Sequence, residues 1–139
     1  MDVDQYKQSI RDFFNIEPVE AVYLYGSEAI GTPNNQSDID IAVLFRNGIN
    51  PKRRFDLRLN YIGFFSRLLG RNDVEVIDLD AVSLAMQYSA VGPRKILFEK
   101  KRGNRRARFE AEVLSRYFDY RYYIRQNSLQ GLSSMVKGF

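Results

Sequence analysis

The segment VEAVYLYGS, residues 19–27, is followed ten residues later by DIDIAVLF, residues 38–45. Val19 to Tyr25 is β-branched and aromatic with no helical period, so it reads as a buried strand that Gly26-Ser27 ends. In the second segment Ile39, Ile41, Val43 and Phe45 alternate, which puts them on one face of a second strand. Asp38 and Asp40 also alternate, so their side chains share a face, with Cα atoms about 6.5–7 Å apart. Between the strands, Glu28 to Ile30 reads as a short helical turn and GTPNNQS, residues 31–37, as a dense run of turn formers.

Working outward, Val3, Tyr6, Ile10 and Phe13/Phe14 recur at three- and four-residue intervals and predict a short amphipathic helix over 3–14. Phe55, Leu59, Ile62, Phe65 and Leu69 predict a longer helix over 52–69, with Gly70 as its C-cap. DVEVIDL, residues 73–79, reads as a third strand. Asp80 is the expected N-cap of a helix running to about Ser89, and Pro93 punctuates the chain before Arg94 to Glu99. A basic loop, Lys100 to Arg106, leads into a last helix over about 106–126, and the Ser- and Gly-containing tail 127–139 is expected to fray. This order implies an α+β fold, a small mixed β-sheet with flanking helices. Residues 1–99 form the expected core, and 100–139 a basic, Tyr-rich helix and tail of the same domain.

The 139 residues contain no cysteine and no histidine. That excludes a disulfide scaffold, a zinc–cysteine site, a thiol nucleophile and every mechanism with an imidazole base. Chemistry here must run on carboxylates, hydroxyls, amines, guanidiniums and backbone. The formal charge of +4 hides an asymmetry: residues 1–80 carry a net −4 and residues 81–139 a net +8. An acidic half suits cations and a basic half suits an anionic partner. Met1 to Ile10 contains Asp2 and Asp4 and no apolar core, unlike a signal peptide, and no apolar run approaches the ~20 residues of a membrane span. A soluble, cytoplasmic protein without membrane partners is the simplest expectation.

Three features converge on chemistry. Gly26-Ser27 exposes a hydroxyl and backbone N–H groups at the end of a buried strand, an arrangement that suits an anion. Asp38 and Asp40, at ~6 Å, repel by roughly 3 kcal/mol at an effective dielectric of 20, so the pair gains from a shared divalent cation. With oxygen-only ligands, Mg²⁺ is the natural choice. Glu75, an acidic residue between Val74 and Val76 in the third strand, is the third candidate. Each feature alone has a plain reading, as a turn, a solvated pair and a water-facing side chain. Their joint occurrence in this order favours function.

Gly26-Ser27, ten residues, then Asp38-x-Asp40 resembles the GSx10DxD signature of the DNA polymerase β-like nucleotidyltransferases. The short chain looks like the minimal nucleotidyltransferase (MNT) group, and its Tyr- and Arg-rich last helix is similar to the antitoxin of the HEPN/MNT toxin–antitoxin pair. The resemblance implies a polymerase β-like fold and ATP as substrate. Gly26 and Ser27 would contact the β- and γ-phosphates. Asp38 and Asp40 would ligate two Mg²⁺ ions, and Glu75 would help hold the catalytic metal and activate the attacking hydroxyl. Members of the antitoxin group are similar in transferring AMP to a tyrosine of a partner HEPN-domain ribonuclease toxin and silencing it, which implies a hetero-oligomer. Two departures stand out. Ile30-Gly31 replaces the family's frequent Arg-Gly, and the third acidic position is Glu75 rather than Asp. Asp73 and Asp78 are the fallback candidates, Asp73 on the face of Glu75 and Asp78 of opposite parity.

Arg94 to Arg125 carries 11 Lys/Arg residues interleaved with Phe109, Tyr117, Tyr120, Tyr122 and Tyr123. Part of this reads as a solvated helix face with aromatics packed inward. The family resemblance favours docking to an acidic protein over RNA binding, and Arg and Tyr also enrich protein interfaces. The alternatives to the antitoxin reading are a nucleotidyltransferase acting on RNA or a small hydroxyl compound, and a non-catalytic toxin-binding module.

Overall fold

In the computed structural model, residues 3–26 and 38–137 are described. The expected turn at 28–30 and the turn-rich run 31–37 lie outside them. Strands β1 (Val19–Tyr25) and β2 (Ile39–Phe45) are almost wholly buried, as their near-continuous apolar sequence requires of strands covered on both faces. They pair antiparallel, from Tyr25 opposite Asp40 to Val19 opposite Phe45, with a bulge between Val19 and Ala21. Helix α2 (Pro51–Leu69) then carries the chain over one face so that β3 (Val74–Asp78) pairs parallel to β2. A parallel partner demands such a crossover. Strand β4 (Arg94–Glu99) adds antiparallel to the free side of β1, giving the order β3-β2-β1-β4.

The alternation of β2 and β3 sorts side chains onto two faces. Val22, Leu24, Ile39, Ile41, Val43, Phe45, Val74 and Val76 face α2 and α1 (Lys7–Phe14). Phe14, Tyr61 and Phe65 fill that layer, and the Phe13 and Phe64 rings stack at 3.9 Å beside it. Tyr61 is buried but donates its hydroxyl to Glu17 at 2.9 Å, which removes the cost of an unsatisfied polar group. The opposite face, with Ala21, Tyr23, Tyr25, Ala42, Leu44 and Ile77, packs on α3 (Leu84–Val91) and on the start of α4 (Arg105–Lys137).

Local signals set the helix ends. Asn50 caps α2 by accepting the Arg53 N–H at 2.8 Å, Pro51 occupies the first turn, and Gly70 closes the helix at φ 65°, as expected of it. The first helix differs in detail: Val3–Tyr6 is a 3-10 turn that leads into α1. The cap of α3 is corrected. Ser83, not Asp80, accepts the Met86 N–H, at 3.2 Å, while the Asp80 carboxylate takes Arg105 at 2.9 Å. Strand β4 was not expected as a strand, because its charged ends obscure the apolar Ile96-Leu97-Phe98. Helix α4 runs to Lys137, eleven residues beyond its expected end, in place of a fraying tail. No proline interrupts it, and a single Gly131 costs only about 1 kcal/mol. No helix among the described residues is long and apolar enough to cross a membrane.

Phe14 touches Tyr61, Phe65 and Phe98 and is fully buried. Phe14→Ala should cost about 3–5 kcal/mol of stability, read as a lower urea midpoint with an unchanged slope.

Candidate active site

The two pairings of β1 and the parallel pairing of β2 with β3 align one residue from each strand. Glu75, Asp40, Tyr25 and Arg94 form a single row across the sheet, each opposite the next. Adjacent members sit on strands about 4.8 Å apart. Asp38 lies one pleat beyond Asp40 and is exposed, as is Glu75, while Asp40 is half-buried. The row lies on the face that α3 and α4 cover, at the end of the sheet where β1 stops and β2 and β3 begin.

Burial raises the Asp40 pKa above the ordinary aspartate value, and the neighbouring charges of Glu75 and then Asp38 push it further the same way. The Tyr25 hydroxyl is pushed up to about 12, by burial first and then by Asp40 and Glu75. Gly26 follows with φ 76°, and a Cβ there would stand 2.6 Å from Asp40 Oδ2. Both the backbone conformation and the space require glycine. Ser27 lies outside the described residues.

Such a donor set suits a hard divalent cation. All its ligands are oxygen, two carboxylates already disfavour ionisation of the third, and bare Gly26 keeps the approach to Asp40 open. Among the described residues no three carboxylates are closed around a common point. The side chains are therefore neighbours that a bound ion would draw together.

The two fallback carboxylates are otherwise engaged. Asp73 is bridged by Arg71 through both oxygens, and this holds its pKa below the usual range. Asp78 is buried on the opposite side of β3, where Arg54 meets it at 3.0 Å and the Asp80 N–H donates to it at 3.0 Å. Glu75 has neither kind of partner among the described residues and stands directly opposite Asp40. Two members of the row were missed from sequence. Tyr25 immediately precedes Gly26 and has the parity of Ala21 and Tyr23. Arg94 belongs to the unassigned strand β4, where it pairs with Glu110 of α4 and covers the Tyr23 ring at 5.7 Å.

Residues 8–103 match the family described as polymerase beta, nucleotidyltransferase, and the chain belongs to that family. It is 31% identical over 84 residues to the protein adenylyltransferase MntA of Shewanella oneidensis, a match that covers 60% of this chain. The match spans 57% of that curated relative, little more than half its length. Among solved structures, a chain of a toxin–antitoxin complex with AMP-PNP is 26% identical, with a TM-score of 0.65 over 95% of this chain and 98% of that one. A chain in the complex of tri-AMPylated Shewanella oneidensis HEPN toxin with MNT antitoxin shares the fold, at 23% identity and a TM-score of 0.57 over 91% and 98% of the two chains.

The raised Asp40 pKa has a consequence for stability. The folded state holds the Asp40 proton more tightly than the unfolded chain does. Its contribution is most favourable below the unfolded pKa and is lost as pH rises through the folded one. Asp40→Asn should therefore raise the melting temperature of the metal-chelated protein at neutral pH. The gain should shrink on acidification, as followed by circular dichroism.

Proposed function

We propose that this chain transfers AMP from ATP to a tyrosine hydroxyl of a partner HEPN-domain toxin and thereby neutralises it, acting as the antitoxin of the pair. The single observation that carries this reading is the strand register. It sets Asp40 beside Glu75 and Asp38, at a glycine whose missing side chain keeps the site open. Likeness to a protein adenylyltransferase, and to a toxin–antitoxin complex holding an ATP analogue, supports adenylyl transfer to protein over transfer to RNA or a small compound.

Asp38, Asp40 and Glu75 would hold Mg²⁺, which supplies charge neutralisation for the triphosphate and acidifies an incoming hydroxyl. Gly26 and Ser27 bind the β- and γ-phosphates through backbone N–H groups and the Ser27 hydroxyl, fixing the leaving group. The acceptor oxygen attacks the α-phosphorus, a new P–O bond forms, and the bond to pyrophosphate breaks. Glu75, the exposed member of the carboxylate pair, takes the hydroxyl proton on its carboxylate. Phosphoryl-type transfer depends mainly on positioning and charge neutralisation, so a site without histidine suffices. Residues 1–99 and 100–139 act as one domain in this reading, supported by Phe109 and Val113 of α4, which are buried against the sheet.

Label from α-labelled ATP should pass to a co-expressed HEPN-domain protein, and mass spectrometry should find added AMP on tyrosine. Asp38→Asn with Asp40→Asn should reduce transfer on the order of a thousandfold or more, and chelation of divalent cations should match it. Glu75→Gln should lower kcat on the order of a hundredfold, with a smaller change in KM for ATP. Undiminished transfer by the double variant would overturn the proposal.

A further inference from the structure

Helix α4 starts at the pole of the sheet opposite the carboxylates, where Arg105 Nε donates to the Phe45 carbonyl at 3.0 Å. Five residues later Glu110 pairs with Arg94, the row member opposite Tyr25. Glu110 thus reaches the row through the Arg94 side chain, and α4 runs from that pole toward the carboxylate side. At about 1.5 Å per residue, the helix continues for about 40 Å beyond that point. It leaves the body early. Phe109 and Val113 are buried, Tyr117 stacks on Tyr88 at 3.7 Å, and every residue from Phe118 to Gly131 is exposed.

A helix standing free in water is expected to be polar all round. This one is not. Leu114, Phe118, Tyr122 and Leu129, spaced four, four and seven residues apart, make one stripe, and the last three are 55%, 67% and 53% exposed. Tyr120 and Ile124 continue the line of Val113 and Tyr117 past the point where the body ends. A shallow groove runs between Phe118, Tyr120, Arg121, Tyr122, Ile124 and Arg125. Arg116 has Glu112 near it at 3.9 Å, but Arg121 and Arg125 have no ion-pair partner among the described residues. An exposed apolar stripe with unpaired guanidiniums at its margin marks an interaction surface.

We propose that this arm, residues 118–129, holds an amphipathic helix of the acceptor protein. The helix lays its apolar side on Phe118, Tyr122 and Leu129 and turns its carboxylates toward Arg121 and Arg125. The proposal rests on the transfer reading, because the arm gives the acceptor a place beside the site. A second copy of this chain fits less well, since two such helices packed together would oppose arginine to arginine. RNA would use the guanidiniums and the tyrosine rings but would leave Leu129 and Ile124 in water.

The test is fluorescence anisotropy of the full chain with a labelled helical peptide that has a leucine face and glutamate flanks. A twin with lysine flanks and a single-stranded RNA serve as comparisons. The glutamate peptide should bind about tenfold or more tightly than its twin. Phe118→Ala with Tyr122→Ala should weaken it about tenfold or more, and Arg121→Glu with Arg125→Glu should reverse the preference between the peptides. These side chains are exposed, so the circular dichroism spectrum and melting temperature should not change. Equal binding of the two peptides, no effect of Phe118→Ala with Tyr122→Ala, or RNA binding tighter than peptide binding would overturn the proposal. So would self-association abolished by the same substitutions. Asp38→Asn with Asp40→Asn should bind the glutamate peptide as the wild type does. Docking without AMP transfer in the wild type therefore counts against the transfer reading alone, and transfer without docking counts against the arm alone.

Discussion

The parallel pairing of β2 with β3 places Asp40 and Glu75 on adjacent strands, and the carboxylate end of the molecule depends on that juxtaposition. Burial of Asp40 disfavours its charged form, and the neighbouring charges of Glu75 and Asp38 add to the penalty. The other face of the same strands offsets the penalty, with Ile39, Ile41, Val74 and Val76 set among Tyr61 and Phe65. Because side chains alternate, a slip of one residue in register would exchange the faces, burying the carboxylates and exposing the apolar set. The apolar layer therefore enforces the arrangement of the acidic one.

The electrostatic asymmetry of the sequence acquires a structure that composition alone could not give. Part of the basic half is engaged internally. Arg94 and Arg106 both pair with Glu110, Arg106 also meets Glu99 at 2.7 Å, and Arg105 holds Asp80. These bridges fasten the first turns of α4 to β4 and to the segment after β3. Beyond that fastening, Arg121 and Arg125 have no ion-pair partner among the described residues. One helix thus has two regimes, a pinned root and a free shaft, and the boundary falls close to the stacked Tyr88 and Tyr117.

How much could be read from residues alone depends on the range over which each feature is determined. Alternation in DIDIAVLF and the left-handed Gly70 are local, and both are where the pattern put them. The carboxylates Asp38 and Asp40 and the Gly26 turn were legible from order and spacing, and Glu75 from its misplaced charge between valines. Tyr25 and Arg94 were not, because membership of the row is a matter of pairing between strands distant in sequence. Strand β4 was obscured because Arg94, Lys95 and Glu99 mask its short apolar centre. The cap of α3 shows competition between neighbours: Asp80 is a good capping residue, but Arg105 engages it and Ser83 caps instead. Chain end effects were misjudged on composition, since serine and glycine near the C-terminus are compatible with a helix that no proline stops.

The position of β4 at the border of the sheet has a consequence for assembly. An outer strand offers unpaired backbone groups to any extended segment, and proteins that stay apart guard such borders with charge and proline. Pro93 precedes β4, Lys95 projects from it, and Lys100 and Lys101 follow it at once. A second sheet approaching along that border would meet cations and a missing N–H donor. Growth of the sheet by strand addition along β4 is thereby disfavoured.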